Sequence, residues 1–313
     1  VMRTEDAAAL VPAAFTEFVG RWSAEEGNVG GPSGAQWAAD LPRLLAGVLD
    51  DWELTPTGPG RTGYSALVLP VERADGRAAL KLAWPHLEAR DEPLALRHWD
   101  GKAAVQLIAA DPSRSVLLLE ALDSSRDLTT VDIDTACAVI GGLLAQLHVD
   151  APPGLRSVPE YVERVLTRMD ALAGALPRRM TDRATGLLRD LTASGAKPRL
   201  LHTDLHFENV LASRSGTDRP PWLAIDPHAM AGHPGFEVQP LLRNRRDELG
   251  TGSAMRRGAR RRLAICCEAA GIDEDEALGW TYLHTMMQAI WGAEGGDQGE
   301  VSFNIALLKA LDD

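Results

Sequence analysis

The chain has 313 residues, 45% of them apolar and 24% charged, with a formal charge of −12; this is an ordinary globular composition with material for one full core or two. The acidic balance argues against a protein that holds nucleic acid by neutralising phosphates with lysine and arginine; it is compatible with a small cationic substrate and equally with charge that simply aids solubility. No apolar run reaches the ~20 residues of a membrane span, Cys137, Cys266 and Cys267 follow neither disulfide nor zinc spacing, and the opening VMRTEDAAAL lacks the order of a secretory signal, so a cytoplasmic chain is expected.

Two stretches open the chain as helices. In PAAFTEFVGRW the rings of Phe15, Phe18 and Trp22 recur at helical spacing, and AQWAADLPRLLAGVLDDWEL repeats it at Trp37, Leu41, Leu44, Leu45 and Leu49. Between them EEGNVGGPSG reads as a loop from its glycine, proline and serine. From Trp52 the period shortens. Runs at Leu54–Thr57, Ser65–Arg73 and Ala78–Ala83 are β-prone, and Ala74-Asp75-Gly76 closes a hairpin between the last two. LEARDEPLALRHWDG is helical, with Pro93 marking its first turn or a kink. AVQLIAAD and SVLLLEAL, parted by a turn at Pro112, add two strands. Five short antiparallel strands and one inserted helix predict a small α+β lobe.

After Asp123 the pattern turns helical. DIDTACAVIGGLLAQLHVD puts Ala136, Ile140, Leu143, Leu144 and Leu147 on one face, PEYVERVLTRMDALAGAL and TDRATGLLRDLTA follow, and from about Phe236 the chain is mostly helical and arginine-rich to Leu311. The expected organisation is a helical segment 1–51 packing on a strand-rich nucleotide-binding lobe 52–123, followed by a helical lobe 124–313.

The densest chemistry lies in LLHTDLHFENVL, residues 200–211. His202, Asp204 and His206 form H-x-D-x-H, which can be read as transition-metal ligands. Asp204 and Asn209 together also have the H-x-D-L-x-x-x-N spacing of a phosphotransferase loop, in which the aspartate orients the attacking hydroxyl and the asparagine oxygen holds Mg²⁺. Downstream, WLAIDP is a short apolar strand delivering Asp226. Pairing of the segments around Val210 and Leu223 would bring Asp226 beside Asn209, two oxygen ligands for a hard cation.

The first lobe supplies complementary pieces. GPGRTG, with Gly58, Gly60 and Gly63, sits between strands and suits a flap whose amides cover phosphates, although it equally fits a plain turn. Lys81, flanked by apolar residues in a strand, needs a partner if it is buried. Glu92 is preferred to Glu88 because it belongs to the more regular helical pattern with Leu94, Leu96 and Trp99. An adenine would bond to the backbone of Glu120 and Leu122 in LEAL. The order of these pieces along the chain is the one a two-lobed phosphotransferase needs.

The strings DDWEL, GRTGYSALVLPVERADGRAALKL, LALRHWDG, LLLEAL, HTDLHFENVLAS, PWLAIDP and GHPGFEVQPLLRNR together resemble the aminoglycoside/hydroxyurea resistance kinases, nearest the streptomycin 6-phosphotransferases. The resemblance runs from about Trp37 to Leu311 and implies a bilobal protein-kinase-like α+β fold. It implies transfer of the γ-phosphoryl group of ATP, or of GTP, to a hydroxyl of an aminoglycoside-type antibiotic. By the same resemblance Asp204 is the base, Asn209 and Asp226 hold Mg²⁺, and Lys81 and Glu92 orient the phosphates. Two positions depart from the family pattern: His233-Pro234 stands where Asp-Pro is usual, and Glu237 where Asp is usual. Either departure bears on the loop's bracing or on the acceptor pocket. His206, Glu237, Trp291 and Glu294 are the candidate acceptor residues, the last two from QAIWGAEGGDQGE, whose Asp297 and Glu300 also offer charge. Two other functions remain open: a kinase of the same fold acting on another small metabolite such as hydroxyurea or an amino sugar, and a nucleotide-binding module without turnover.

Overall fold

The computed structural model describes residues 2–24, 30–172, 174–193 and 195–312. Half of the loop read at EEGNVGGPSG, residues 25–29, lies outside the described residues. Contacts divide the chain into two units, Val1–Asp123 with Ser213–Arg219, and Ser124–Ala212 with Pro220–Asp313.

The first unit is built on a six-stranded antiparallel sheet. Its strands are β1 (Thr55–Pro56), β2 (Arg61–Thr62), β3 (Ala66–Arg73), β4 (Gly76–Ala83), β5 (Leu107–Asp111) and β6 (Val116–Glu120), in the order β1-β3-β4-β6-β5 with β2 also on β3. Leu67, Leu69 and Val71 alternate inward along β3 and meet Leu80 and Leu82 of β4. Gly76 takes φ +132°, a conformation a side chain would strain, so the β3–β4 hairpin closes tightly there.

Against this sheet core lies the helix Gly34–Asp51, contributing Trp37, Leu41, Leu45 and Leu49. Leu41 and Leu45 are fully enclosed, each worth about 2 kcal/mol relative to exposure. The helix starts where Ser33 and Gln36 form a reciprocal capping box, each side chain accepting from the other's backbone N–H. The short helices Thr4–Ala8 and Ala13–Val19 add Ala7, Phe15 and Val19 to the same core. Pro93 falls in the first turn of the helix Glu92–Trp99, where its missing N–H costs little.

The second unit is mainly helical. The helix Glu274–Glu294 runs through its core and is buried on every face, from Ala277 to Gly292. Around it pack the helices Val158–Leu166, Arg178–Thr192 and Gln298–Leu311. The expected helix after Tyr161 is α-helical only to Leu166 and continues as a 3₁₀ turn, Thr167–Leu172. Helices Ile133–Leu147 and Ser253–Ala270 approach closely because residue 141 is glycine: a Cβ there would lie 2.6 Å from the Cys266 carbonyl oxygen. Among the described residues no helix is long and apolar enough to cross a membrane.

Short strands frame the loops of this unit. β7 (Asp123–Asp127), β9 (Val210–Ala212) and β10 (Trp222–Ala224) form one sheet in the order β10-β9-β7. β8 (Arg199–Leu201) pairs with β11 (Met230–Gly232). The segment LLHTDLHFENVL thus runs from β8 into β9, with its polar residues in the connection.

Candidate active site

Inside that connection His202 is fully buried. Its Nδ1 accepts the Asp204 N–H at 3.4 Å, so the ring proton resides on Nε2, which donates to the Ile225 carbonyl at 2.9 Å. Burial pushes its pKa down to about 4, so it is a neutral brace. Both ring nitrogens are engaged within the protein, which rules His202 out as a ligand in the H-x-D-x-H metal reading.

Thr203 is held in the left-handed region at φ +62°, its N–H donated to Glu237 Oε1 at 2.6 Å and its hydroxyl to the His228 carbonyl at 2.9 Å. This conformation costs a non-glycine residue about 1–2 kcal/mol, and such strain gathers at functional loops. It turns the chain so that Asp204 leaves the sheet edge.

Asp204 is bounded on two sides. Its Oδ1 accepts from Arg243 Nη2 at 2.8 Å, and Asn209 Nδ2 reaches its backbone oxygen at 2.9 Å and its Oδ2 at 3.3 Å. Those bonds fix the Asn209 amide with nitrogen toward Asp204, which assigns Oδ1 as the oxygen able to meet a cation.

The β9–β10 hairpin pairs Val210 with Ala224 and Leu211 with Leu223, and Ile225 N–H bonds the Asn209 carbonyl at 2.9 Å. Asp226 follows immediately, itself left-handed at φ +58°. The register therefore brings Asp226 next to Asn209, a two-oxygen set whose chemistry suits a magnesium ion.

His206 lies beside the carboxylate with Nε2 3.7 Å from Asp204 Oδ2. Its Nδ1 accepts the Glu208 N–H at 3.4 Å, and burial, reinforced by Arg243, lowers its pKa to about 4. It is a neutral ring with its proton on the Asp204 side.

Three arginines that sequence reasoning missed complete the setting. Besides Arg243, Arg245 and Arg262 flank the Phe207 ring at 5.1 Å and 5.9 Å. Arg262 is buried and donates to the carbonyls of Leu241, Asn244 and Arg245, closing the end of the helix Gln239–Arg243. For Arg243 and Arg245 the available signal was the string LLRNR, whose charges follow two apolar residues; nothing comparable marked Arg262.

In the first unit, Lys81 Nζ lies 2.7 Å from both Glu92 carboxylate oxygens, with both side chains enclosed. A cavity of about 310 Å³ opens beside the pair, its walls coming from His86, Arg90 and the β5–β6 turn at Ser113 and Ser115.

The glycine-rich turn is bonded within the protein. Gly60 donates its N–H to the Leu10 carbonyl at 3.3 Å and Gly63 to the Ala66 carbonyl at 3.0 Å, so neither amide is offered to a phosphate here. Residue 60 is glycine because a Cβ would come within 2.6 Å of Leu67 Cδ1 and 2.7 Å of the Leu10 oxygen. Gly58 sits against Pro70.

Glu120 is similarly committed. Its N–H bonds the Gln106 carbonyl, and its carboxylate accepts from Gln106 N–H and from Arg219, which also donates to the Gly101 and Ala104 carbonyls. Leu122, half-buried, follows β6.

The acceptor candidates divide. Glu237 is 1% exposed, with one oxygen on Thr203 N–H and the other 3.2 Å from His148 Nε2, so it braces the loop. Trp291 is half-buried 6.3 Å from the Tyr161 ring, and Glu294 is exposed and paired with Arg168. Asp297 caps the helix Gln298–Leu311, and Glu300 pairs with Arg246.

A family model described as aminoglycoside/hydroxyurea antibiotic resistance kinase matches residues 51–296. The streptomycin 6-kinase of Streptomyces glaucescens is 41% identical over 288 residues, covering 90% of this chain and 92% of that one. The chain belongs to the aminoglycoside/hydroxyurea antibiotic resistance kinase family. Hydroxyurea phosphotransferase of Kitasatospora aureofaciens is 38% identical over 323 residues, covering 99% of this chain and 88% of that one. A solved choline/ethanolamine kinase family protein from Mesorhizobium loti superposes with a TM-score of 0.59 at 18% identity, over 82% of this chain and 89% of that one. The fold is protein-kinase-like, and the chain is a phosphotransferase with an alcohol group as acceptor.

Within this resistance kinase the two departures have physical explanations. His233 caps the 3₁₀ turn Pro234–Val238 as an aspartate would, its Nδ1 accepting the Gly235 N–H at 3.1 Å. Its Nε2 then faces Glu276 at 3.1 Å while the ring stacks on Trp280. Glu237 reaches both Thr203 and His148, a span that uses the extra methylene.

Proposed function

We propose that this kinase transfers the γ-phosphoryl group of MgATP to a hydroxyl of an aminoglycoside-type antibiotic, with streptomycin the first candidate, and so confers resistance. The carrying observation is Asp204, held between Arg243 and Asn209 on its loop in a chain 41% identical to a streptomycin 6-kinase along nearly its whole length. The net charge of −12 favours a cationic acceptor.

In the proposed reaction the acceptor hydroxyl hydrogen-bonds to the Asp204 carboxylate, which aligns its oxygen in line with the γ-phosphorus. The new O–P bond forms as the bond to the leaving ADP breaks, and the hydroxyl proton passes to Asp204 and then to solvent. Because the transition state is loose, positioning and charge matter more than basicity. Asn209 Oδ1 and the Asp226 carboxylate would hold magnesium, which neutralises phosphate charge. Lys81, oriented by Glu92, serves the α- and β-phosphates of the nucleotide. His206 donates from Nε2 toward the acceptor side of Asp204, and Trp291 and Glu294 are the remaining acceptor candidates.

The test is a panel of streptomycin, other aminoglycosides, hydroxyurea and amino sugars, incubated with ATP or GTP and read by mass spectrometry for an added phosphoryl group. Phosphorylation of streptomycin supports the proposal. Hydroxyurea as the only product would transfer the assignment to the second reading, favoured by 38% identity to a hydroxyurea phosphotransferase across 99% of this chain. No product from any acceptor would favour the nucleotide-binding module.

A further inference from the structure

We propose that Arg243 is a positioning residue and the built-in counter-ion of Asp204, fixing the carboxylate and preventing a cationic acceptor from capturing it. This rests on the phosphotransferase reading above. Arg243 ends the helix Gln239–Arg243, and the carbonyls around that end, of Leu241, Asn244 and Arg245, are clamped by the buried Arg262. The backbone under the guanidinium is therefore set, and Nη2 meets Asp204 Oδ1 at 2.8 Å. Asn209 approaches the other oxygen at 3.3 Å, so the two carboxylate oxygens have different neighbours and the group cannot rotate without breaking both contacts.

The pair is partly enclosed, with side-chain exposures of 33% for Arg243 and 17% for Asp204. Attraction between charges in such a site is stronger than in water. An aminoglycoside carries several ammonium or guanidinium groups beside its hydroxyls. Each is a better partner for a bare carboxylate than a hydroxyl is. Without Arg243 the acceptor would pair through a cation and leave its hydroxyl out of line. With Oδ1 already satisfied, the hydroxyl presents itself to a carboxylate whose charge is balanced.

The experiment compares wild type, Arg243→Gln and Arg243→Lys in acceptor phosphorylation and in phosphate release from ATP without acceptor. Glutamine keeps a donor and most of the volume but removes the charge, whereas lysine restores it. For Arg243→Gln, kcat is expected to fall about 10- to 100-fold, the effect of losing one charge-assisted hydrogen bond. KM for ATP should stay within about two-fold while KM for the cationic acceptor decreases, the signature of unproductive binding. Arg243→Lys should recover most of kcat. A glutamine variant with unchanged kcat, or one whose acceptor KM rises and which lysine does not improve upon, overturns the proposal. A wild type that phosphorylates no acceptor overturns the functional reading instead, and Arg243 is then judged on hydrolysis, slowed by glutamine and restored by lysine. A wild type without hydrolysis as well overturns both.

Discussion

Lys81 Nζ is 2.7 Å from each carboxylate oxygen of Glu92, and the two side chains are 7% and 2% exposed. Such a pair is held by geometry, because removing one partner strands a buried charge. Glu92→Ala is expected to lower unfolding stability by about 3–5 kcal/mol and to raise KM for ATP. The double variant Lys81→Met, Glu92→Leu should recover the stability but not the turnover. Urea unfolding and steady-state kinetics on the three proteins check this; full activity in the double variant would remove Lys81 from the nucleotide site.

Asp204→Asn keeps the shape of the side chain and removes the charge that Arg243 and the acceptor hydroxyl address. Turnover should fall about 100- to 10 000-fold while ATP affinity stays near that of wild type. Nucleotide titration beside the kinetic assay separates the two quantities. Turnover like that of wild type would mean another group aligns the hydroxyl.

Burial lowers the pKa of His202 and His206 to about 4 and of His284 to about 3, against an unfolded value of 6.5. The unfolded chain therefore binds protons in a window where the folded chain leaves these rings neutral. Their contribution to stability is full above that unfolded value and is lost as pH falls toward 4, by up to ~1.4 kcal/mol per pH unit for each ring. Unfolding measured between pH 7 and pH 5 should show this slope, and His284→Gln should reduce it. A flat profile would mean the rings are already protonated or not enclosed.

The His233 cap and the Glu237 brace can be tested by exchange for the usual family residue. His233→Ala is expected to cost about 1 kcal/mol and His233→Asp to restore most of it, since aspartate caps equally well. Glu237→Asp shortens a side chain that now serves both Thr203 and His148, and should cost about 1–3 kcal/mol and lower kcat. Thermal unfolding of the three variants decides; an unaffected Glu237→Asp would mean the loop is held from elsewhere.

Local signals carried much of this structure. Alternation in Ala66–Arg73 and Gly76–Ala83, the apolar face of the helix Ile133–Leu147, and the pairing of Val210 with the segment around Leu223 each settle their own element. Lys81 in its strand and the Asp204–Asn209 spacing were legible for the same reason. β2, β7, β8 and β11 were not, since two to five residues carry no period and DSSRD is polar throughout. Arg243 and Asp204 stand 39 residues apart, and the Gly60 N–H meets the Leu10 carbonyl from another part of the chain. Such pairings depend on tertiary packing that neither segment encodes alone.

Arg219 gives the first unit a staple drawn from distant sequence. It sits in Ser213–Arg219 and makes four hydrogen bonds to Glu120, Gly101 and Ala104. A fragment ending at Asp123 would leave the Glu120 carboxylate with only the Gln106 N–H, and would strip the Gly101 and Ala104 carbonyls of the Arg219 donor. No single cut in the chain separates the two units, because Ser213–Arg219 belongs with the first.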